Sequence, residues 1–201
     1  MSGLFVAFEG VDRSGKTTQL RLLADRLGEK HEVIVTREPG GTPVAEAIRV
    51  LLLADDVQMS ARCEALLFAA ARADHVEQTI RPALDRGAIV LTDRFLDSSL
   101  AYQGVARGLG VDDVESFNMW ATEGLLPDVT IMLDLPVGTS VQREGNTDRM
   151  ENEGQLFQAR VRRGLMDLAN RNPQRYAVID ASGSIEDVAE HVWAAIPEQW
   201  R

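Results

Sequence analysis

Leu4-Phe5-Val6-Ala7-Phe8-Glu9-Gly10-Val11-Asp12-Arg13-Ser14-Gly15-Lys16-Thr17-Thr18-Gln19-Leu20 holds three readings in seventeen residues. Residues 4–8 are a short apolar run that stops at Glu9-Gly10, as a buried strand of a parallel sheet does. Gly10 to Thr17 matches G-x-x-x-x-G-K-[ST]. A helix follows from about Thr17, with Leu20, Leu23, Ala24 and Leu27 on one face and Gly28 as its stop. In such a loop the glycines let backbone amides turn inward around phosphate oxygens. Lys16 adds a point charge, the Thr17 hydroxyl can reach Mg²⁺, and the helix N-terminus adds its dipole. At average glycine usage of about 7% the bare pattern arises by chance in on the order of one chain in a hundred of this length. The flanking strand and helix therefore carry the reading.

Working outward, residues 33–35, 88–91, 129–133 and 176–179 are four further apolar, β-branched runs. Helical periodicity fills the intervals between them. Val44, Ala47, Ile48, Leu51 and Leu52 share one face, and a long helical stretch spans about 60–85. Ser184 with Asp187 resembles a capping box that opens a last helix carrying Ile185, Val188, Val192 and Ile196. Five strands alternating with helices predict an α/β chain with a parallel sheet. Ligands of such sheets bind beyond the carboxyl ends of the strands, where the polar motifs of this chain fall.

Composition narrows the classes. The 201 residues carry a formal net charge of −10, which argues against a nucleic-acid partner. No run of eighteen apolar residues predicts a membrane span. Residues 1–6 lack the basic n-region of a signal peptide. The three histidines are scattered, so no zinc cluster is expected. Cys63 stands alone, and no internal disulfide can form, which fits a reducing, cytoplasmic setting. Its helical surroundings predict a buried or half-buried small residue.

A phosphate loop does not by itself name the acceptor. No Asn-Lys-x-Asp segment of the GTPase kind is present. Five segments together are more specific: residues 9–19; Arg37-Glu38-Pro39-Gly40-Gly41-Thr42; Leu67-Phe68-Ala69-Ala70-Ala71-Arg72-Ala73; Asp93-Arg94-Phe95 with Ser98, Ser99, Ala101, Tyr102, Gln103 and Gly104; and Asp148-Arg149-Met150-Glu151. In this order and spacing they resemble the thymidylate kinases, over about residues 4–192. The resemblance implies a three-layer P-loop nucleoside-monophosphate (NMP) kinase fold, one domain over residues 1–201. Its five-stranded parallel sheet has helices on both faces and a short lid at about 142–153. It also implies ATP and dTMP as substrates, Mg²⁺, and a homodimer.

Residue roles follow from the same resemblance. Gly10, Val11, Asp12, Arg13, Ser14, Gly15, Lys16, Thr17 and Thr18 would hold ATP, with Arg143, Ser182 and Gly183 beside the adenine. Thr17 would ligate the metal and Asp93 would meet it through water. Arg94 would hold the dTMP phosphate, a role a guanidinium fork suits. Phe68 would stack on thymine and Arg72 donate to its O4; four residues apart, they share a helix face. Tyr102 would crowd the 2′ position, with Ser98 and Gln103 supplying polar contacts and Asp12 lying near the sugar. Arg37 and Arg49 are candidate second phosphate cations. Arg13, Lys16, Arg94 and Arg149 are the expected catalytic residues, with the loop arginine, Arg13, as the main catalytic cation. Lys16 is expected to have no core to pack in. Ala71, Phe95 and Gly164 depart from the family pattern, and Gly164 should weaken its helix. Two other readings remain at this stage: a kinase for dUMP, dCMP or a broader set, and a nucleotide-binding module without catalysis.

Overall fold

The structure, a computed structural model, describes residues 3–138 and 153–201. The expected lid, with Arg143 and the Asp148-Arg149-Met150-Glu151 segment, lies outside them apart from Glu153. Strands β1 (Leu4–Glu9), β2 (Val33–Arg37), β3 (Ile89–Asp93), β4 (Val129–Asp134) and β5 (Tyr176–Asp180) form one sheet in the order β2-β3-β1-β4-β5. All four pairings are parallel. The five apolar runs of the sequence are these five strands.

Alternation along β1 builds the layers. Leu4, Val6 and Phe8 point to one face, where they meet Leu20, Leu23 and Leu27 of α1 (Lys16–Gly28). Val188 and Val192 of the last helix, Ile185–Ala195, complete that face. Phe5 and Ala7 point to the other face, against Leu96, Leu100, Val114, Val161 and Leu165. Each such side chain, fully buried, stabilises the fold by roughly 1.5–3 kcal/mol. The expected three-layer arrangement is therefore present.

Local signals start the helices. Thr42 accepts from the amide of Ala45 (3.1 Å) and Pro43 opens α2 (Pro43–Leu53). Ser60 accepts from the amide of Cys63 (3.3 Å) at the head of α3 (Ala61–His75). Ser184 accepts from the amide of Asp187 (3.1 Å), and its hydroxyl donates to the Asp187 carboxylate (2.7 Å). The long stretch at 60–85 is helical throughout, but it passes through a π-turn (Val76–Ile80) before α4 (Arg81–Asp85). A second π segment, Leu100–Ala106, continues α5 (Leu96–Ser99) and precedes α6 (Val111–Ala121). Cys63 is exposed, contrary to expectation. The inward face of α3 is taken by Glu64, Ala65, Ala69, Arg72 and His75, several of them polar because that face backs a site.

Gly164 explains its own departure. It lies in α7 (Gln155–Arg171), and a Cβ there would stand 3.1 Å from Val105 Cγ2 and 3.4 Å from the Ala101 backbone. The missing side chain lets α7 press onto the π segment that carries Tyr102 and Gln103. Gly164→Leu should therefore overpack this contact and cost about 1–3 kcal/mol, despite the better helix propensity of leucine. Urea unfolding measures this, and an unchanged midpoint would show that the helix approach tolerates a side chain.

Candidate active site

Strand register brings the chemistry to one edge. Phe8 stands opposite Asp93, and Asp93 opposite Arg37, so the ends of β1, β2 and β3 are level. Pairing continues past the strands: the Arg94 amide donates to Phe8 O (2.9 Å) and the Glu38 amide to Asp93 O (2.9 Å). The phosphate loop leaves β1 here. Gly10 (φ 148°) has no room for a Cβ, which would fall 2.6 Å from Leu133 O, and Gly15 (φ 99°) turns the chain into α1. Arg13 also takes a left-handed backbone, at φ 62°.

Lys16 is buried, not free of packing as expected. Its Nζ donates to Gly10 O (3.2 Å) and Val11 O (3.0 Å). Burial, reinforced by the Arg94 charge, lowers its pKa against the pull of Asp93, Asp12 and Glu9. Ser14 Oγ is enclosed and has no hydrogen-bond partner among the described residues. Thr17 and Thr18 are exposed at the loop mouth, and the Thr17 hydroxyl donates to Asp93 Oδ2 (2.9 Å). Ser182 and Gly183 are exposed in the turn after β5. That turn is tied to α1 by a bond from Gln19 Nε2 to Ile185 O (2.9 Å).

Arg94, at φ 72°, reaches from the end of β3 back to the loop. Its guanidinium donates to Gly10 O (3.1 Å), Ser98 Oγ (3.0 Å), Tyr102 OH (3.2 Å) and the Asp12 carboxylate. Burial alone would lower the Arg94 pKa, but the fields of Tyr102, Asp12, Asp93 and Glu9 outweigh it and raise it. Asp12 is a hub that also accepts from Tyr102 OH (3.1 Å) and Gln158 Nε2 (2.8 Å). Burial would raise its pKa, but Arg94 and Lys16 bring it below the usual value.

A cavity, open at its mouth, adjoins this knot. Phe68, Arg72, Arg94, Ser98, Tyr102 and Gln103, all expected from the sequence, line it together with Asp12, Glu38 and Arg49. Arg37 does not. It pairs with Glu46 (3.0 Å) and lines a separate depression with Thr17 and Asp93, because β2 ends on the far side of β3. Of the two candidate second cations, Arg49 is the one at the cavity, donating to Pro39 O (2.7 Å).

The setting of Arg72 was not legible. It is buried, and it donates to Glu38 (2.7 Å), Ser99 Oγ (3.0 Å), Phe95 O (3.0 Å) and Asn118 Oδ1. Four of five guanidinium hydrogens are thus committed, which leaves one for a ligand. Glu38 is shared with the buried His75 (3.1 Å), which in turn meets Thr36 Oγ1 (2.7 Å).

A profile of the thymidylate kinase family matches residues 8–192. The chain belongs to the thymidylate kinase family. Thymidylate kinases transfer the γ-phosphoryl group of ATP to dTMP, giving dTDP and ADP, and a member chain is an ATP-dependent kinase of that class. The chain is 55% identical to the thymidylate kinase of Bifidobacterium longum strain DJO10A, over 98% of this chain and 96% of that one. It is 49% identical to that of Desulforudis audaxviator, over 98% and 91%. The crystal structure of thymidylate kinase from Ehrlichia chaffeensis matches with a TM-score of 0.80 at 36% identity, covering 96% of this chain and 98% of that one. The fold is thus that of the P-loop NMP kinases. Among the described residues no helix is long and apolar enough to cross a membrane.

Glu9, a residue to which the sequence assigned no role, underlies the thymidylate kinase site. Wholly buried at the end of β1, it accepts from the amides of Phe95 (2.9 Å) and Ser98 (3.1 Å) and from the Ser98 hydroxyl (2.5 Å). It thereby fixes the turn that carries Arg94. Burial first, and Asp97 second, push its pKa up to about 7. Between an unfolded value near 4.5 and a folded value near 7, the folded chain holds a proton that the unfolded chain has lost. Stability from this group is therefore full below the lower value and lost as pH rises through the upper one. Wild type should lose stability relative to Glu9→Gln between pH 5 and 8. Urea unfolding of both proteins across that window measures the difference, and a constant difference would mean that Glu9 ionises normally.

Proposed function

We propose that this chain phosphorylates dTMP with a division of labour read from the geometry. The phosphate loop, residues 10–17, with Thr18, holds the ATP phosphates, and Ser182 and Gly183 stand beside the adenine with Arg143. Arg94 binds the acceptor phosphate. The observation that carries this is the position of the Arg94 guanidinium, held by Gly10 O, Ser98, Tyr102 and Asp12 between the donor loop and the acceptor cavity.

The acceptor phosphate is already anionic, so transfer requires alignment and charge neutralisation rather than a general base. Lys16 sits against the loop carbonyls, from which its Nζ can swing to the β and γ phosphates. Phe68 offers a stacking face and Arg72 its one remaining N–H to O4 of thymine. Tyr102 is locked by Asp12 and Arg94, which supports the reading that it excludes a 2′-hydroxyl. Arg37 has no part in acceptor binding on this reading, and Arg49 takes its place.

The donor set suits Mg²⁺. The Thr17 hydroxyl and the Asp93 carboxylate meet at 2.9 Å at the loop mouth, where Thr17 would ligate the ion and Asp93 would meet it through water. Among the described residues no group of three carboxylates, histidines or cysteines forms a cage. This suits an ion held mainly by nucleotide phosphates and water. An ion held there by Thr17 and, through water, by Asp93 would supply positive charge against the β and γ phosphates.

The lid at 142–153 completes the unit in this reading. Exposed apolar residues on α2 and α3 (Val44, Val50, Leu51 and Leu66) support a homodimer. A lone thiol without a disulfide supports a cytoplasmic setting.

Arg13 tests the assignment of the catalytic cation. Arginine fingers contribute roughly 10³–10⁵ in rate, and here Lys16 and Arg149 share the charge, so about 10²–10³ is expected. Arg13→Gly suits the φ of 62° and keeps the loop. It should lower kcat by that factor with little change in either KM. Steady-state kinetics beside Arg149→Ala decide the matter: normal turnover of Arg13→Gly with a crippled Arg149→Ala would move the cation to the lid.

A further inference from the structure

Behind the nucleobase end of the cavity lies a charged pair that plays no part in the scheme above. Glu64, in the first turn of α3, is buried. It accepts from Gln103 Nε2 (2.9 Å) at Oε1, and from Arg107 Nε (3.1 Å) at Oε1 and Nη2 (3.1 Å) at Oε2. Arg107 also meets Glu153 (2.6 Å). Burial would lower the Arg107 pKa, but its bonds to Glu153 and Glu64 raise it, so the guanidinium stays charged. A carboxyl group that faces N–H donors at both oxygens is an acceptor at both, which is its ionised form.

An ionised carboxylate can only accept, so the Gln103 amide must turn its NH₂ toward Glu64. Its Oε1 is then the atom left for the cavity that Gln103 lines with Phe68 and Arg72. The cavity thus presents an N–H from Arg72 and an acceptor oxygen from Gln103. Thymine and uracil offer the complement, an O4 acceptor beside an N3–H donor. A 4-aminopyrimidine offers the reverse, with an amino donor beside an N3 lone pair.

We propose that Glu64 and Arg107 are specificity-determining positioning residues: together they fix which way the Gln103 amide faces, and so select a 4-oxo pyrimidine with N3–H over its 4-amino counterpart. The proposal rests on the dTMP reading of the cavity. Neither residue lines that cavity, and both act through Gln103. A site built to hydrogen-bond rejects a mismatched analogue strongly, because its own buried groups are left unpaired.

The matched probes are dTMP and 5-methyl-dCMP, which differ only at position 4 and in the proton at N3. Wild-type turnover of dTMP checks the underlying reading by itself. Glu64→Gln replaces a group that only accepts by one that donates and accepts, so the side chain at 64 no longer dictates which way the Gln103 amide faces. The ratio of kcat/KM for dTMP over 5-methyl-dCMP should fall at least about tenfold, with the KM for ATP unchanged. Arg107→Lys, which keeps the charge, should hold the ratio within about threefold of wild type. Should Glu64→Gln fail to fold, Arg107→Met carries the test. A buried carboxyl without its cation takes up a proton and can donate to Gln103, so the ratio falls again. Equal losses on both acceptors, leaving the ratio at its wild-type value, would overturn the proposal and reduce the pair to a structural ion pair.

Discussion

A guanidinium that must stay charged while shielded from water sets the terms for the rest of the site. Arg94 sits where the end of β3 meets the phosphate loop, and an isolated buried charge there would be costly. Asp12, Tyr102, Ser98 and Gly10 O remove that cost by bonding it. Each of these partners needs a support of its own. Asp12 is held by Gln158 across 146 residues of sequence, and Ser98 is held by Glu9 across 89. The parallel register of β1 and β3 makes these meetings possible, because it sets Phe8 opposite Asp93 and so brings Glu9 beneath the turn at Arg94.

The same logic recurs at the end of the cavity that the proposal assigns to the base. Arg72 is immobilised by Glu38, Ser99, Phe95 O and Asn118 before any ligand arrives. Glu38 is in turn held by His75. A donor locked in advance loses little entropy when it binds, and a single remaining N–H discriminates better than a mobile fork. Such buried networks are favourable only when each member is satisfied. This accounts for the number of polar residues that α3 buries toward the site.

Much of this was legible in the sequence, and what was missed has a common cause. The strands, the loop, the helix caps and the lining residues Phe68, Arg72, Arg94, Ser98, Tyr102 and Gln103 each carry a local signal of period, spacing or motif. Glu64, His75, Asn118 and Gln158 do not, and Glu9 and Glu38 stand inside motif segments that give them no role. Their importance lies in partners distant in sequence, and a buried glutamate looks like a surface one until the fold is known. Both π segments also escaped, since one extra residue per turn hardly disturbs an apolar pattern. Lys16 was expected to lack packing, yet the loop wraps its stem. Cys63 was expected to be buried or half-buried, yet it lies on the outward face of α3. Gly164 read as a weakness, but it is where α7 approaches the π segment.

On the proposed reading, Arg94 is pre-assembled to receive the acceptor phosphate and has no direct part in reading the base. Calorimetric titration of dTMP and thymidine against wild type and Arg94→Lys tests it, because thymidine lacks only the phosphate. Lysine keeps the charge but cannot reproduce the fork. Affinity for dTMP should fall about ten- to a hundredfold in the variant, the value of one charge-assisted bond, while thymidine binds as before. Equal weakening of both ligands would contradict it and would show that Arg94 supports the cavity as a whole rather than the phosphate.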